Sequence, residues 1–271
     1  MTRAITTTTT TTTIPTRQNS SAAEIIPAVH IHLEGYTAFF RIVWSISGTQ
    51  LTVPCPPYST LLGLISCCAG RIVTPADTRI GYEFTSVSEN IELERTDRFE
   101  FKDNKLRTHP EGKYIVKRKV LFKPKLDLYV TNTSLADVFR HPVGTPKLGR
   151  SQDLCWITKV EPVTLTPVQS GNIGKTMIRS DSLERYVSAE LISCVEAFDN
   201  FEAGKLRKVH SKSLFQIIQP RQRFGFKTNH RNRNSNGQGT RINITGRNLY
   251  HPSNLPTEDV IYLHEWSTVT N

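Results

Sequence analysis

Residues Gln50–Gly70, QLTVPCPPYSTLLGLISCCAG, join a rigid loop to a helix and set how the rest of the chain is organised. Pro54, Pro56 and Pro57 hold the approach extended and remove three backbone donors, so a helix cannot begin before Tyr58. Ser59 is the predicted N-cap. Leu61, Ile65, Cys68 and Ile72, flanked by Leu62, Leu64 and Ala69, repeat at helical spacing, and Gly70 is the predicted C-terminal stop. The open end of such a helix carries unpaired N–H groups and a partial positive charge, a seat for a phosphate with the Tyr58 ring beside it. The same residues also fit a core helix capped by Ser59 on which Tyr58 packs.

Upstream, Thr6 to Thr13 is an unbroken threonine run inside a polar segment, and residues 1–23 are expected to be a disordered tail. From Ala28, Val29, Ile31 and Leu33 alternate with His30, His32 and Glu34, the pattern of a half-buried strand running towards Phe39, Phe40 and Arg41. His30 and His32 share one face of that strand. With no third ligand nearby they are expected to be either exposed or packed along the sheet ladder rather than to hold a metal.

Downstream of the helix, RIGYEFTSVS and ENIELERTDRFEF alternate as strands. Composition then shifts. Between Lys102 and Lys125 stand Lys102, Lys105, Arg107, His109, Lys113, Lys117, Arg118, Lys119, Lys123 and Lys125, against Asp103 and Glu111 only. The expectation is a long basic hairpin over about residues 99–128, turning at THPEGK, with Arg107, His109, Lys117, Arg118 and Lys119 tracking phosphates; an ordinary hairpin with a solvated charged face is the alternative. LDLYVT returns as a strand and LADVFR as a short helix. The loop HPVGTPKLGR follows, in which Gly144 and Gly149 would let backbone N–H groups approach a ligand, Lys147 and Arg150 would add charge, and His141 a stacking ring. A plain connecting turn is the alternative there.

The remainder, 169–271, is expected to form a small β-rich lobe. SLERYVSAELISCVEAFDNFEAG has helical composition, while LFQIIQP and VIYLHEW have strand character. Within it, residues 220–252 are rich in Asn, Gly and Arg and carry no acid, which predicts a basic loop that orders on nucleic acid or on a partner subunit.

Whole-chain properties agree with a polyanionic partner. Lys and Arg exceed Asp and Glu by 34 to 24 in 271 residues, a net charge of +10. The longest apolar run, Leu61 to Gly70, is half of what a bilayer span needs, so no membrane association is expected. Five cysteines without a CxxC pair predict neither a disulfide framework nor a zinc site and fit a reducing cytoplasm. No cofactor is expected.

Two of these stretches carry a resemblance. FFRI at Phe39–Ile42 followed by TVPCPPYSTLLGL resembles the amino-terminal signature of the CRISPR-associated "Cas five" family, with Val53, Cys55 and Tyr58 departing from its usual residues. SLADVFRHPVGTPKLGRSQDLCWITKV resembles that family's LGRSxD element. The resemblance covers about half the chain and implies an α+β, ferredoxin-like (RNA-recognition-motif-like) RAMP core over 24–168 with an inserted basic β-hairpin thumb. It implies a non-catalytic subunit of a type I Cascade effector in a prokaryotic cytoplasm, holding the 5′ handle of a CRISPR RNA, docking backbone and large subunits, and reaching target DNA through the complex. Arg41, Tyr58, Ser59, His141, Gly144, Lys147, Gly149 and Arg150, with the hairpin cations, are the RNA contacts it implies. One branch of the family cuts precursor RNA without a metal through a Tyr, Lys and His set, and that alternative stays open. So does a nucleic-acid-binding protein unrelated to CRISPR.

Overall fold

The computed structural model describes residues 24–42, 49–185, 187, 189–199, 207–219 and 241–267. The expected tail over 1–23 and most of the basic loop over 220–252 lie outside the described residues. The fold is mostly β-sheet with few helices.

Strand β1 (Ile26–Gly35) follows its alternation. Val29, Ile31 and Leu33 enter the main core, whereas His30 and His32 face the other way. β1 pairs antiparallel with β7 (Lys125–Val130) on one side and β8 (Cys155–Ile173) on the other, and β7 pairs with β4 (Ile80–Thr85). The strand order is therefore β8-β1-β7-β4. α1 (Tyr58–Ala69) lies in the chain between β1 and β4, and the short α2 (Ala136–Arg140) between β7 and β8. β12 (Ile242–Pro252) and β13 (Asp259–His264) join β8 to β4 and close a barrel. Residue 169, where a carboxyl-terminal lobe was expected to begin, lies within β8. β8 runs unbroken through that position, because its second half pairs with β12.

The face opposite α1 holds a smaller core of Ala28, Tyr129, Val163, Leu165, Ile261 and Leu263. His30 stacks on Tyr129 with ring centroids 4.7 Å apart and is bonded to Asp127 and Glu161, and His32 bonds Asp127. The two histidines are packed along the sheet, one of the two arrangements expected.

α1 starts where the prolines allow. Pro57, extended at φ −61° and ψ 150°, stands at the N-cap, and its carbonyl accepts from the N–H groups of Thr60 and Leu61. Ser59 lies inside the first turn and is not the cap, since the helix has already begun at Tyr58. Gly70 ends the helix in the left-handed region at φ 62°, as its position predicts. The helix packs between the barrel and a second sheet of order β10-β11-β9, made of β10 (Glu190–Asp199), β11 (Lys208–Ile218) and β9 (Thr176–Arg179). β10 occupies a stretch whose composition predicted helix. Its pairing with β11 and the burial of Ile192 and Ala197 outweigh local propensity.

The hairpin is longer than expected and is built differently. β5 (Ser88–Lys102) and β6 (Lys105–Phe122) pair along their length and turn at Asp103–Asn104, both at positive φ (52° and 57°) as a two-residue hairpin requires. THPEGK is not the turn. It lies within β6, with residues 109–112 bulged between the pairs Asp97–Lys113 and Phe99–Thr108. β2 (Thr37–Ala38) and β3 (Thr49–Gln50) pair with β6 at the hairpin's base.

Candidate nucleic-acid interface

The two sequence signatures meet at that base. Phe39, directly after β2, is buried, and the guanidinium carbons of Arg118 and Arg150 lie 5.2 and 5.5 Å from its ring centroid. Arg118 comes from β6 and Arg150 from the loop before β8, so the ring is a shared platform for two cations. Both arginines are met by carboxylates. Arg118 Nε lies 2.7 Å from Glu94 Oε2 and its Nη1 donates to Gln50, while Arg150 Nη1 lies 3.4 Å from Glu92 and 3.5 Å from Glu94.

Asp153 fixes the arrangement. Fully buried, it accepts at Oδ2 from the Arg150 backbone N–H and Nε, each at 2.9 Å, and at Oδ1 from Arg150 Nη2 at 2.9 Å and the Thr37 hydroxyl at 2.6 Å. Burial alone would lower the Arg150 pKa; the Asp153 bonds and charge outweigh it and hold the pKa raised. The backbone closes the same knot, with Phe39 N–H donating to Leu148 O and Leu148 N–H to Asp153 O. Gly149 sits at φ 122°, and a Cβ there would stand 2.0 Å from the Phe39 carbonyl oxygen. LGRSQD is therefore a lock, anchored by the buried Leu148 and Asp153, that ties the loop to the end of β2.

The other predicted contacts divide by exposure. Arg41, bridged to Thr52, and Lys117, paired with Thr49, are exposed beside the base. Lys147 is exposed next to the lock, where its backbone bridges to Leu154. His141 is exposed at the end of α2. Arg107 pairs with Asp103 near the hairpin tip, and the His109 Nδ1 accepts from the Glu111 N–H in the bulge, both away from the lock. Lys119 is held by Glu89.

Three expectations are corrected. Tyr58 cannot stack on a base: it is buried, its hydroxyl donates to the Met177 carbonyl, and its ring stacks 4.0 Å from His264. Through Tyr58 the start of α1 packs on the second sheet, and Ser59 beside it is half-buried in the first turn. Gly144 is small because it packs on the other end of α1, where a Cβ would meet Cys67 Sγ at 2.7 Å, not because a ligand approaches. Finally, the hairpin is not one-signed. Glu89, Glu92, Glu94, Asp97 and Glu100 on β5 face the cations of β6, so the local excess read from residues 102–125 is partly neutralised across the ladder. Phe39, Asp153 and Thr37 were missed as site residues; only the D of LGRSxD pointed to one of them.

No family model and no curated protein matches this sequence. Solved structures do, and CRISPR proteins are among them. A chain of a CRISPR RNA-guided surveillance complex is 15% identical at a TM-score of 0.47, the match covering 70% of this chain and 89% of the other. A CRISPR protein from Archaeoglobus fulgidus is 11% identical at a TM-score of 0.44, covering 87% and 98%. A chain of a Type III-B Cmr-beta complex bound to cognate target RNA is 12% identical at 0.40, covering 71% and 84%. Among the described residues, no helix is long and apolar enough to cross a membrane.

Proposed function

We propose that this chain is a non-catalytic RNA-binding subunit of a CRISPR effector complex of the type I Cascade kind, seated on the 5′ handle of the guide RNA and docking its backbone and large subunits. The observation that carries this reading is the convergence of the two signatures. FFRI and LGRSQD, over a hundred residues apart, form one knot of Phe39, Arg118, Arg150 and Asp153 with exposed cations around it. A ferredoxin-like core is supported by the antiparallel order β8-β1-β7-β4, with α1 following β1 and α2 following β7 in the chain, and a thumb by the β5–β6 hairpin.

Phosphate contacts come from the exposed Lys117, Lys147 and Arg41 rather than from the locked Arg118 and Arg150. Lys117→Ala and Lys147→Ala are each expected to weaken binding of a repeat-derived single-stranded RNA and to lower the slope of log affinity against log salt by about 0.7. Unchanged slopes in both variants would count against these contacts.

The same reading predicts no cutting of RNA. Metal-free cleavage needs a base, an acid and a cation converging within hydrogen-bond reach of the scissile phosphate. His109 is occupied by the Glu111 N–H, and Tyr114 lies under the Arg98 guanidinium at 4.8 Å, with its pKa lowered chiefly by the Arg98 hydrogen bond. Incubation with repeat RNA in EDTA is expected to leave it intact. A specific product, lost in His109→Ala or Tyr114→Phe, would instead establish the endoribonuclease.

A further inference from the structure

In RNA-recognition-motif sheets, aromatic side chains on the face opposite the helices stack bases. Here β12 and β13 close that face into the barrel and the small core fills it. It stays open at one end. Tyr36, at the end of β1, and Trp156, at the start of β8, are 69% and 40% exposed, with ring centroids 5.1 Å apart and planes at 58°. Trp156 pairs with Glu34, which places it on the His30 and His32 side of the sheet. Phe122, 39% exposed, ends β6 opposite Thr37, so three strand ends bring large rings to one corner.

Cations surround the corner. Lys123 N–H donates to the Tyr36 carbonyl, and Lys125 continues into β7. A groove of about 440 Å³ leads away from Trp156 along β8 between Arg140 and Lys159. Lys125, Lys159 and Arg140 pair with Glu34, Glu161 and Asp137 at 2.9, 2.9 and 2.8 Å. Such exposed pairs are weak, which leaves these cations able to turn to a phosphate. Exposed rings interleaved with cations beside a groove are how single-stranded nucleic acid is held without sequence readout.

We propose that Tyr36 and Trp156 form a base-stacking platform for single-stranded RNA, whose backbone continues into the Arg140–Lys159 groove. The proposal rests on the RNA-binding reading above and adds where bases sit; none of the contacts predicted from sequence includes either ring. Stacking carries no counterions, so its loss lowers affinity without changing salt dependence.

The test is fluorescence anisotropy of the full chain with a labelled single-stranded repeat RNA across a salt series. Tyr36→Ala and Trp156→Ala are each expected to weaken binding about five- to a hundredfold at an unchanged salt slope, while Tyr36→Phe and Trp156→Phe stay close to the native chain. Native affinity in the double alanine variant overturns the platform and leaves the RNA-binding reading standing, as does a loss accompanied by a shallower slope. No binding by the native chain overturns both.

Discussion

Asp153→Ala is expected to destabilise the protein by about 3–5 kcal/mol, because it strips a buried carboxylate from a cation that cannot follow it into water. The Arg150 guanidinium, 13% exposed, would keep its place against Phe39 with its main acceptor gone, and the Thr37 hydroxyl and Arg150 N–H would lose theirs. Urea unfolding should show a lower midpoint at unchanged slope. The double variant Arg150→Met with Asp153→Ala should be less destabilised than Asp153→Ala alone, since it no longer strands a charge. A loss below about 1 kcal/mol in Asp153→Ala would mean that the lock does not hold the base of the hairpin.

The second large effect is on acid stability. His264 is fully buried among Tyr58, Phe215, Tyr262 and Trp266, and among the described residues neither ring nitrogen has a hydrogen-bond partner. Glu196 Oε1 stands 3.7 Å from Nε2, too far for a bond, and is itself bonded by Ser267. Burial, with smaller contributions from Arg179 and Arg79, pushes the His264 pKa down from 6.5 to about 3. The unfolded chain therefore takes up a proton below about pH 6.5 that the folded chain refuses, so stability is complete above that pH and is lost as pH falls towards 3. At about 1.4 kcal/mol per unit, roughly 2–3 kcal/mol is gone by pH 4.5.

Other groups titrate nearby with their own signs. His32, raised chiefly by its bond to Asp127, adds stability as pH falls through its folded pKa. Burial would raise Glu161, but its bonds to Lys159, His30 and Asn254 outweigh that and bring it to about 2, so it loses stability only in the carboxylate range. Comparing the native chain with His264→Phe, which keeps a ring on Tyr58, isolates the histidine. The variant should lose markedly less stability between pH 7 and 5; an identical loss in both would refute the assignment.

Part of this was legible before any coordinates. Pro54, Pro56 and Pro57 fix where α1 can start, because each locks its own φ, and Gly70 where it stops, because without a Cβ it enters the left-handed region freely. The alternation of β1 and the strand character of LFQIIQP and VIYLHEW were readable for the same local reason. The hairpin's existence was readable, but its turn was misplaced. Asp103 and Asn104 both adopt positive φ, and residues 109–112 bulge within β6 instead of ending it.

The candidate site was half legible. Arg41 of FFRI and Gly149 and Arg150 of LGRSQD were singled out as contacts to RNA, yet Arg150 first contacts Phe39 and Asp153. Nothing in 150–153 states that Thr37 completes the set of donors around Asp153, or that β5 supplies Glu92 and Glu94 to the arginines.

The sequence by itself determined the elements whose causes lie within a few consecutive residues: the fixed φ of proline, the freedom of glycine to take a positive φ, and apolar periodicity along one strand or helix. The tertiary structure alone decided what each element faces. Tyr58 is core because Met177 and His264, more than a hundred residues away, close over the start of α1, and the hairpin's charge is balanced because register sets acids of β5 against bases of β6. Those outcomes depend on pairing distant segments in one register, a choice made by burying the whole core together rather than by any local run of residues.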